Sequence, residues 1–272
     1  MKIARFQHGP KVAYGLVEED GVYALAGDPF EGFERGAELA EVRLLAPVQP
    51  TKIVALGVNY RAHAEEVGHP LPEVPLLFLK PPSAVIGPGE AIVCPAMSQQ
   101  VDYEGELAVV IGRRARHVQP AQALDYVLGY TCANDVTARD LQRRDGQWTR
   151  SKGFDTFCPL GPWIVPNLDP HDLALRTWVN GELRQDSSTR DLIFGVEELV
   201  SFISQVMTLE PGDVILTGTP SGVGPLAPGD VVVTSGHATL EQEPTKNQVE
   251  RDRLSEVEIE GIGVLRNPIV EG

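Results

Sequence analysis

The chain has 272 residues, 42% of them hydrophobic and 22% charged, which suffices for one large domain or one domain with a small appendage. Lys and Arg number 23 against 38 Asp and Glu, a formal net charge of −15, which argues against nucleic acid or an anionic membrane as the main partner, since phosphate binding needs a basic face. No apolar run reaches the ~18 residues of a membrane span, and the opening MKIARFQHGP has no apolar stretch behind its basic residues and is not read as a signal peptide.

The first segment reads as short strands, with KVAYGLV and VYAL separated by Asp20-Gly21, a hairpin signal. A polar, Gly-containing stretch follows, and Pro47 and Pro50 punctuate the chain before KIVALG. A boundary near residue 48 is expected, with a small β-rich N-terminal unit over 1–48 and a larger catalytic domain over 49–272. Strand-like runs then dominate, at residues 53–56, 76–79, 107–111, 163–165, 176–179, 214–216 and 231–234, with Asn180-Gly181 as a second hairpin signal. Helical spacing of Val196, Leu199, Val200, Ile203 and Met207, closed by Pro211-Gly212, predicts one longer helix. Residues 60–67 and 136–144 are shorter helix candidates. The pattern predicts a β-dominated α+β fold and not an alternating βαβ one. Residues 235–255, polar and charged between two strands, are expected to form an exposed insertion loop. Cys94, Cys132 and Cys158, odd in number and without a C-x-x-C pair, read as reduced thiols of a cytoplasmic protein.

Four groups of residues carry chemistry. In DYEGELAVVI, Glu104 and Glu106 flank a glycine on what reads as a strand, so both point to one face. Two such carboxylates can converge on one cation, and hard oxygen ligands suit Mg²⁺, Mn²⁺ or Ca²⁺; a solvated strand face also fits. In ANDVTARDLQ, Asp135 stands at the start of a predicted short helix, where it serves either as an N-cap or as a third ligand. Arg139 and Gln142 fall three apart on one helical face and can address a substrate carboxylate together; a solvated face fits them equally. In GVNYRAHAEE, His63 and Glu66 are i, i+3 neighbours, and a His held by a carboxylate is a general base near neutral pH; a surface pair is the alternative. The proline-rich residues 68–75 after it fit a lid that orders over a ligand. TGTPSGVG at 217–224 lacks the Gly-Lys-Ser/Thr ending of a phosphate loop, yet its amides and hydroxyls can hold a carboxylate.

With these residues in view the chain resembles the fumarylacetoacetate hydrolase family, in its single-core bacterial branch of acylpyruvases and 2-hydroxyhepta-2,4-diene-1,7-dioate isomerases. The resemblance runs over about 51–233 and 256–268 through GVNYRAHAEE, FLKPPSAV, DYEGELAVVIG, GYTCANDVTARDLQ, SKGFDTFCPLGPW, VNGELRQDSST, FGVEELVSFIS and LEPGDVILTGTPSGVG. It implies a core of rolled mixed β-sheets, a homodimer, and a Mg²⁺ or Mn²⁺ site. By position it implies Glu104, Glu106 and Asp135 as metal ligands, His63 and Glu66 as the water-activating lid pair, and Lys152 as a lysine beside the metal. Arg139, Gln142, Lys80 and Thr219 match substrate-pocket residues. The activity it implies is C–C hydrolysis of an acylpyruvate, a small 2-oxo acid, through an enolate that the metal stabilises. Isomerisation of hydroxymuconate-type diacids, as in a 5-carboxymethyl-2-hydroxymuconate delta-isomerase, or decarboxylation of oxaloacetate, both in aromatic-acid catabolism, are the rival reactions. A non-catalytic metal-binding β protein is the reading from another class. The segment 235–255 departs from the family's usual tight passage between the flanking strands.

Overall fold

Val, Ile and Leu runs bounded by glycines and prolines build the centre of the molecule as strands buried on both faces. The computed structural model of the chain describes residues 1–233 and 255–272. Its largest sheet has 12 strands, and the middle of it runs through Cys158–Val165, Val127–Asn134, Gly105–Ile111, Val214–Leu216, Ile53–Gly57 and Leu76–Lys80. Every residue of Gly105–Ile111 and of Ile53–Gly57 is buried. Most of these neighbours are antiparallel, while Val214–Leu216 runs parallel to Ile53–Gly57, so the sheet is mixed. A six-stranded sheet packs beside it, built from Glu182–Ser188, Ala174–Val179, Val231–Val233, Ser255–Ile259, Gly263–Glu271 and Ile92–Cys94. The expected β-dominated α+β fold with rolled mixed sheets is the one observed.

The N-terminal strands extend the main sheet: Lys2–His8 lies antiparallel to Cys158–Val165, with Ile3 opposite Ile164. The Asp20-Gly21 hairpin is present, with Glu18 opposite Gly21. The polar stretch after it forms a further strand, Gly32–Leu39, in place of an irregular segment. It is the outermost strand and buries none of its residues, so it carries no alternation to read. Helices are few. Helix α1 spans Arg61–Glu66, α2 Arg139–Asp145, α3 Thr149–Lys152 and α4 Val196–Val206. The predicted long helix matches α4, whose Leu199, Val200 and Ile203 enter the core. The helix predicted from residue 136 begins only at Arg139, because Thr137–Ala138 pairs as a short strand with Val101–Tyr103. Of the expected loop 235–255, residues 235–254 lie outside the described residues.

Candidate active site

Three segments that are distant in sequence meet at one end of the main sheet. Glu104 occupies the single-residue break between Val101–Tyr103 and Gly105–Ile111. Gly105 pairs with Asn134 across the ladder, and the Asp135 amide donates to the Glu104 carbonyl at 2.8 Å. One oxygen from each of Glu104, Glu106 and Asp135 lies within 4.8 Å of the others, and all three residues are buried. The glycine between the glutamates is required: a Cβ on Gly105 would lie 2.2 Å from Thr177 Oγ1. Asp135 does not cap a helix. It sits three residues ahead of the α2 N-cap, Ala138, and both its oxygens accept from lysines.

Cations interleave these carboxylates. Lys152 Nζ donates to Glu104 Oε2 at 2.8 Å and to Asp135 Oδ2 at 2.5 Å. Lys80 Nζ donates to Asp135 Oδ1 at 2.5 Å and to the Val136 carbonyl. Arg139 donates to Asp102 at 2.8 Å, to Glu104 Oε1 at 2.5 Å and to Gln142 Oε1 at 2.7 Å. Burial alone would raise the Glu104 pKa, but Lys152 and Arg139 outweigh it and hold this carboxyl well below the usual range. Glu106 goes the other way: burial, then Asp135 and Glu104, push it well above its ordinary value, although it accepts the Gly218 amide at 2.7 Å. Asp102, Glu104, Glu106 and Asp135 thus outnumber Lys80, Lys152 and Arg139 by one. A divalent cation fits this donor set, since it matches the hard oxygens, relieves the repulsion at Glu106 and turns the cluster net positive.

The second half of the site comes from α1 and the loop after Val214–Leu216. His63 is 7% exposed, and its Nδ1 lies 2.9 Å from Glu66 Oε2. The other Glu66 oxygen accepts the Gly222 amide at 2.9 Å, so the His63–Glu66 pair is tied to the loop over 217–224. Thr219 Oγ1 donates to the Gly105 carbonyl at 2.9 Å. A cavity of about 90 Å³ lies between these groups, lined by His63, His69, Glu104, Arg139, Gln142, Lys152 and Thr219, with an apolar side that includes Val58, Phe78 and Trp148. No residue of 1–48 lines it. Glu66, Glu106 and Asp135 stand behind this lining. Lys80, expected as a pocket residue, does too: its side chain is fully buried beneath Asp135, where it serves the carboxylate and not the cavity.

Several residues here have no signal of their own in the sequence. Asn59 donates from Nδ2 to the Phe194 and Thr217 carbonyls and accepts the Phe194 amide, which fixes the turn that presents Val58 at φ 57°. Gln185 accepts the Gly105 amide at 3.0 Å and donates to Thr219 Oγ1 at 2.8 Å. The N in GVNYRAH and the Q in GELRQDSS are legible as motif letters, but nothing local tells what they bridge.

A rolled mixed-sheet core thus carries a buried carboxylate triad that fits a divalent ion, with interleaved lysines and His63 beside one cavity. The chain belongs to the fumarylacetoacetate hydrolase family: the family's C-terminal domain matches residues 52–270, and an N-terminal domain of the Rv2993c-like type matches residues 1–47. A mitochondrial oxaloacetate tautomerase of Bos taurus is 44% identical over 85% of this chain and 70% of its own length. The crystal structure of 5-carboxymethyl-2-hydroxymuconate delta-isomerase from Mycobacterium smegmatis is 46% identical and covers 100% of both chains, with a TM-score of 0.86. Maleylpyruvate hydrolase from Sphingobium sp. SYK-6, solved with manganese(II) and pyruvate, is 32% identical over 100% of both chains, with a TM-score of 0.76. The chain is therefore an enzyme of this family, with an acidic triad of the kind that serves a divalent ion. Among the described residues no helix is long and apolar enough to cross a membrane.

Proposed function

We propose that this enzyme acts on short 2-oxo acids at a divalent ion held by Glu104, Glu106 and Asp135, and that its leading reaction is hydrolysis of the C–C bond of an acylpyruvate. The observation that carries the choice of hydrolysis is His63 on the cavity wall, hydrogen-bonded to Glu66 behind it. When bound, Mg²⁺ or Mn²⁺ supplies an electron sink for the 2-oxo group. His63 Nδ1–H donates a hydrogen bond to Glu66, which leaves Nε2 free to take a proton from water for attack on the distal carbonyl. Lys152, already charged beside Glu104 and Asp135, faces developing negative charge in the cavity. Arg139 fixes the Gln142 carbonyl, so the Gln142 amide nitrogen remains to donate to the substrate carboxylate. Residues 68–75 cover the cavity after binding, and the division near residue 48 separates a β-rich appendage from this machinery. A homodimer in the cytoplasm belongs to the same reading, and light scattering on the purified protein tests its size.

A second reaction on the same site, keto–enol interconversion of oxaloacetate, is favoured by the similarity to the bovine tautomerase. Isomerisation of a hydroxymuconate-type diacid asks for a second cationic pocket. Arg143 contacts Gln100, Arg144 contacts Asp145 and Lys80 lies beneath Asp135, so the arrangement favours a monoacid over a diacid.

The test is a side-by-side measurement of kcat/KM on acetylpyruvate and oxaloacetate in wild type and His63→Ala, with and without chelator. Chelation should abolish both activities and Mg²⁺ or Mn²⁺ restore them. His63→Ala should lower acetylpyruvate turnover by roughly 10²–10⁴, spare oxaloacetate decarboxylation, and leave Mn²⁺ affinity unchanged. Full activity in metal-free protein would sink the metal reading. Equal losses on both substrates would show that His63 is not the water-activating base. Faster interconversion of enol oxaloacetate than cleavage of acetylpyruvate would make the tautomerase the principal activity.

A further inference from the structure

The apolar part of the cavity wall is built around an aromatic pair. Trp148 and Phe78 meet edge to face, with ring centroids 5.2 Å apart and planes at 75°. The indole lies directly on the backbone of Gly57: a Cβ there would stand 2.6 Å from Trp148 Cη2 and Cζ3. Any residue larger than glycine at position 57 would displace the ring. The turn of α3 fixes Trp148 from the other side, since its carbonyl accepts the Lys152 amide at 2.9 Å and the Ser151 hydroxyl at 3.0 Å. Lys152 in turn extends its ammonium to Glu104 and Asp135, and Phe78 faces that ammonium at 5.1 Å from its ring centroid. The aromatic pair and the charged floor are therefore one connected unit.

Two further observations concern what this wall admits. The cavity, about 90 Å³, is far below the ~300–1,000 Å³ of pockets for drug-sized ligands. Val58, also on the wall, holds φ 57°, a conformation that β-branched residues rarely adopt. The lining cations Arg139 and Lys152 are both engaged with Glu104. Beyond Glu104 and these cations, the ionisable groups among the lining residues are His63 and the exposed His69.

We propose that Trp148, backed by Phe78 and seated on Gly57, sets the length of the substrate's distal group and restricts the enzyme to short 2-oxo acids. A longer acyl chain must push the indole out of its contact with Gly57. A long diacid must place its second carboxylate against Trp148, Phe78 and Val58. The headgroup in this inference rests on the proposed 2-oxo-acid function, whereas the length limit rests on the aromatic wall alone.

The experiment compares wild type, Trp148→Ala and Trp148→Phe, each loaded with Mn²⁺. Two readouts are taken: kcat/KM on acetylpyruvate and on hexanoylpyruvate, and calorimetric affinity for oxalate and for N-butyl oxamate. In Trp148→Ala the long-to-short ratio should rise about tenfold or more in both readouts, with a smaller rise in Trp148→Phe. An unaltered ratio in whichever variant folds overturns the inference, as does wild type turning over a hydroxymuconate-type diacid faster than acetylpyruvate. If wild type turns over neither acylpyruvate, the proposed function fails, and the oxamate-to-oxalate affinity ratio still decides whether Trp148 sets length.

Discussion

Two ionic networks in this molecule have contacts of the same length and opposite surroundings. At the active site Lys152 reaches Glu104 at 2.8 Å and Asp135 at 2.5 Å, and none of the three side chains is more than 6% exposed. On the outside His171 reaches Asp169 at 2.5 Å and Glu197 at 2.9 Å, with His171 61% and Asp169 81% exposed. Distance does not distinguish them; solvent does. For Glu104, Lys152 and Arg139 the largest single influence on protonation is burial, and only neighbours of opposite sign reverse it. For His171 the largest is the hydrogen bond it donates to Asp169, with desolvation a lesser opposing effect. The interior charges therefore depend on one another, since each is tolerated only while its partners remain. The outer ones are screened and individually dispensable.

The largest effect that sharpens this contrast is expected from Lys152→Met. It leaves Glu104 and Asp135 buried with one cation fewer, and breaking a buried pair costs about 3–5 kcal/mol. Denaturant unfolding of the metal-free protein should show that loss. Added Mn²⁺ should recover part of it, because a divalent ion replaces the missing positive charge. Asp135→Asn should be costly for the mirror-image reason, as it takes from Lys80 its carboxylate partner and leaves Lys152 only Glu104. A helix cap would have predicted near-neutrality, since Asn caps as well as Asp. Unchanged stability of Lys152→Met without Mn²⁺ would break the comparison outright.

An intermediate effect is expected where the network is braced by a neutral group. Gln185 reaches across from the six-stranded sheet and satisfies the buried Gly105 amide between the two glutamates. Gln185→Ala leaves that amide without its acceptor, a loss of about 1–3 kcal/mol, and loosens Thr219, which Gln185 holds through Oγ1. Calorimetry should therefore find weaker Mn²⁺ binding together with the lower stability. If stability falls while Mn²⁺ affinity stays the same, Gln185 supports the sheet and not the site.

How much of this was legible in the sequence follows the same division between local and tertiary causes. Residues 53–56, 107–111 and 214–216 read as strands because fully buried strands are short apolar runs. Gly32–Leu39 escapes because an outermost strand without buried residues has no pattern. Only the end of Cys158–Val165 is readable, since Pro159, Gly161 and Pro162 disguise its beginning. The convergence of Glu104 and Glu106 is anticipated by strand spacing, that of Asp135 with them by the family resemblance, and the contact of His63 with Glu66 by helical spacing. What pairs with them is not. Lys80 lies 55 residues from Asp135, and Gln185 lies 80 from Gly105. Those contacts exist only because the sheets bring the strands together, and no local periodicity encodes them. Asp135 itself shows the hazard, since the strand Thr137–Ala138 delays the helix that a cap would have started.

The smallest effect, and the one that isolates the role of solvent, is expected at His171. Its folded pKa is raised, first by the hydrogen bond to Asp169 and further by Glu197. A group with a raised folded pKa stabilises the fold in full below its unfolded value, about 6.5 for His, and that contribution disappears as pH rises through the folded value. His171→Gln should therefore lower the melting temperature slightly at about pH 5 and leave it unchanged at about pH 9. Lys152→Met behaves differently over the same range. The Lys152 pKa is raised from an already high value and that of Glu104 is depressed, so both groups keep their charges from about pH 5 to about pH 9. The stability gap of the interior variant should therefore persist where the gap of the surface variant closes. Differential scanning calorimetry of both variants at the two pH values tests this. A surface gap that persists at high pH would mean that His171 stabilises the fold through packing and not through its charge.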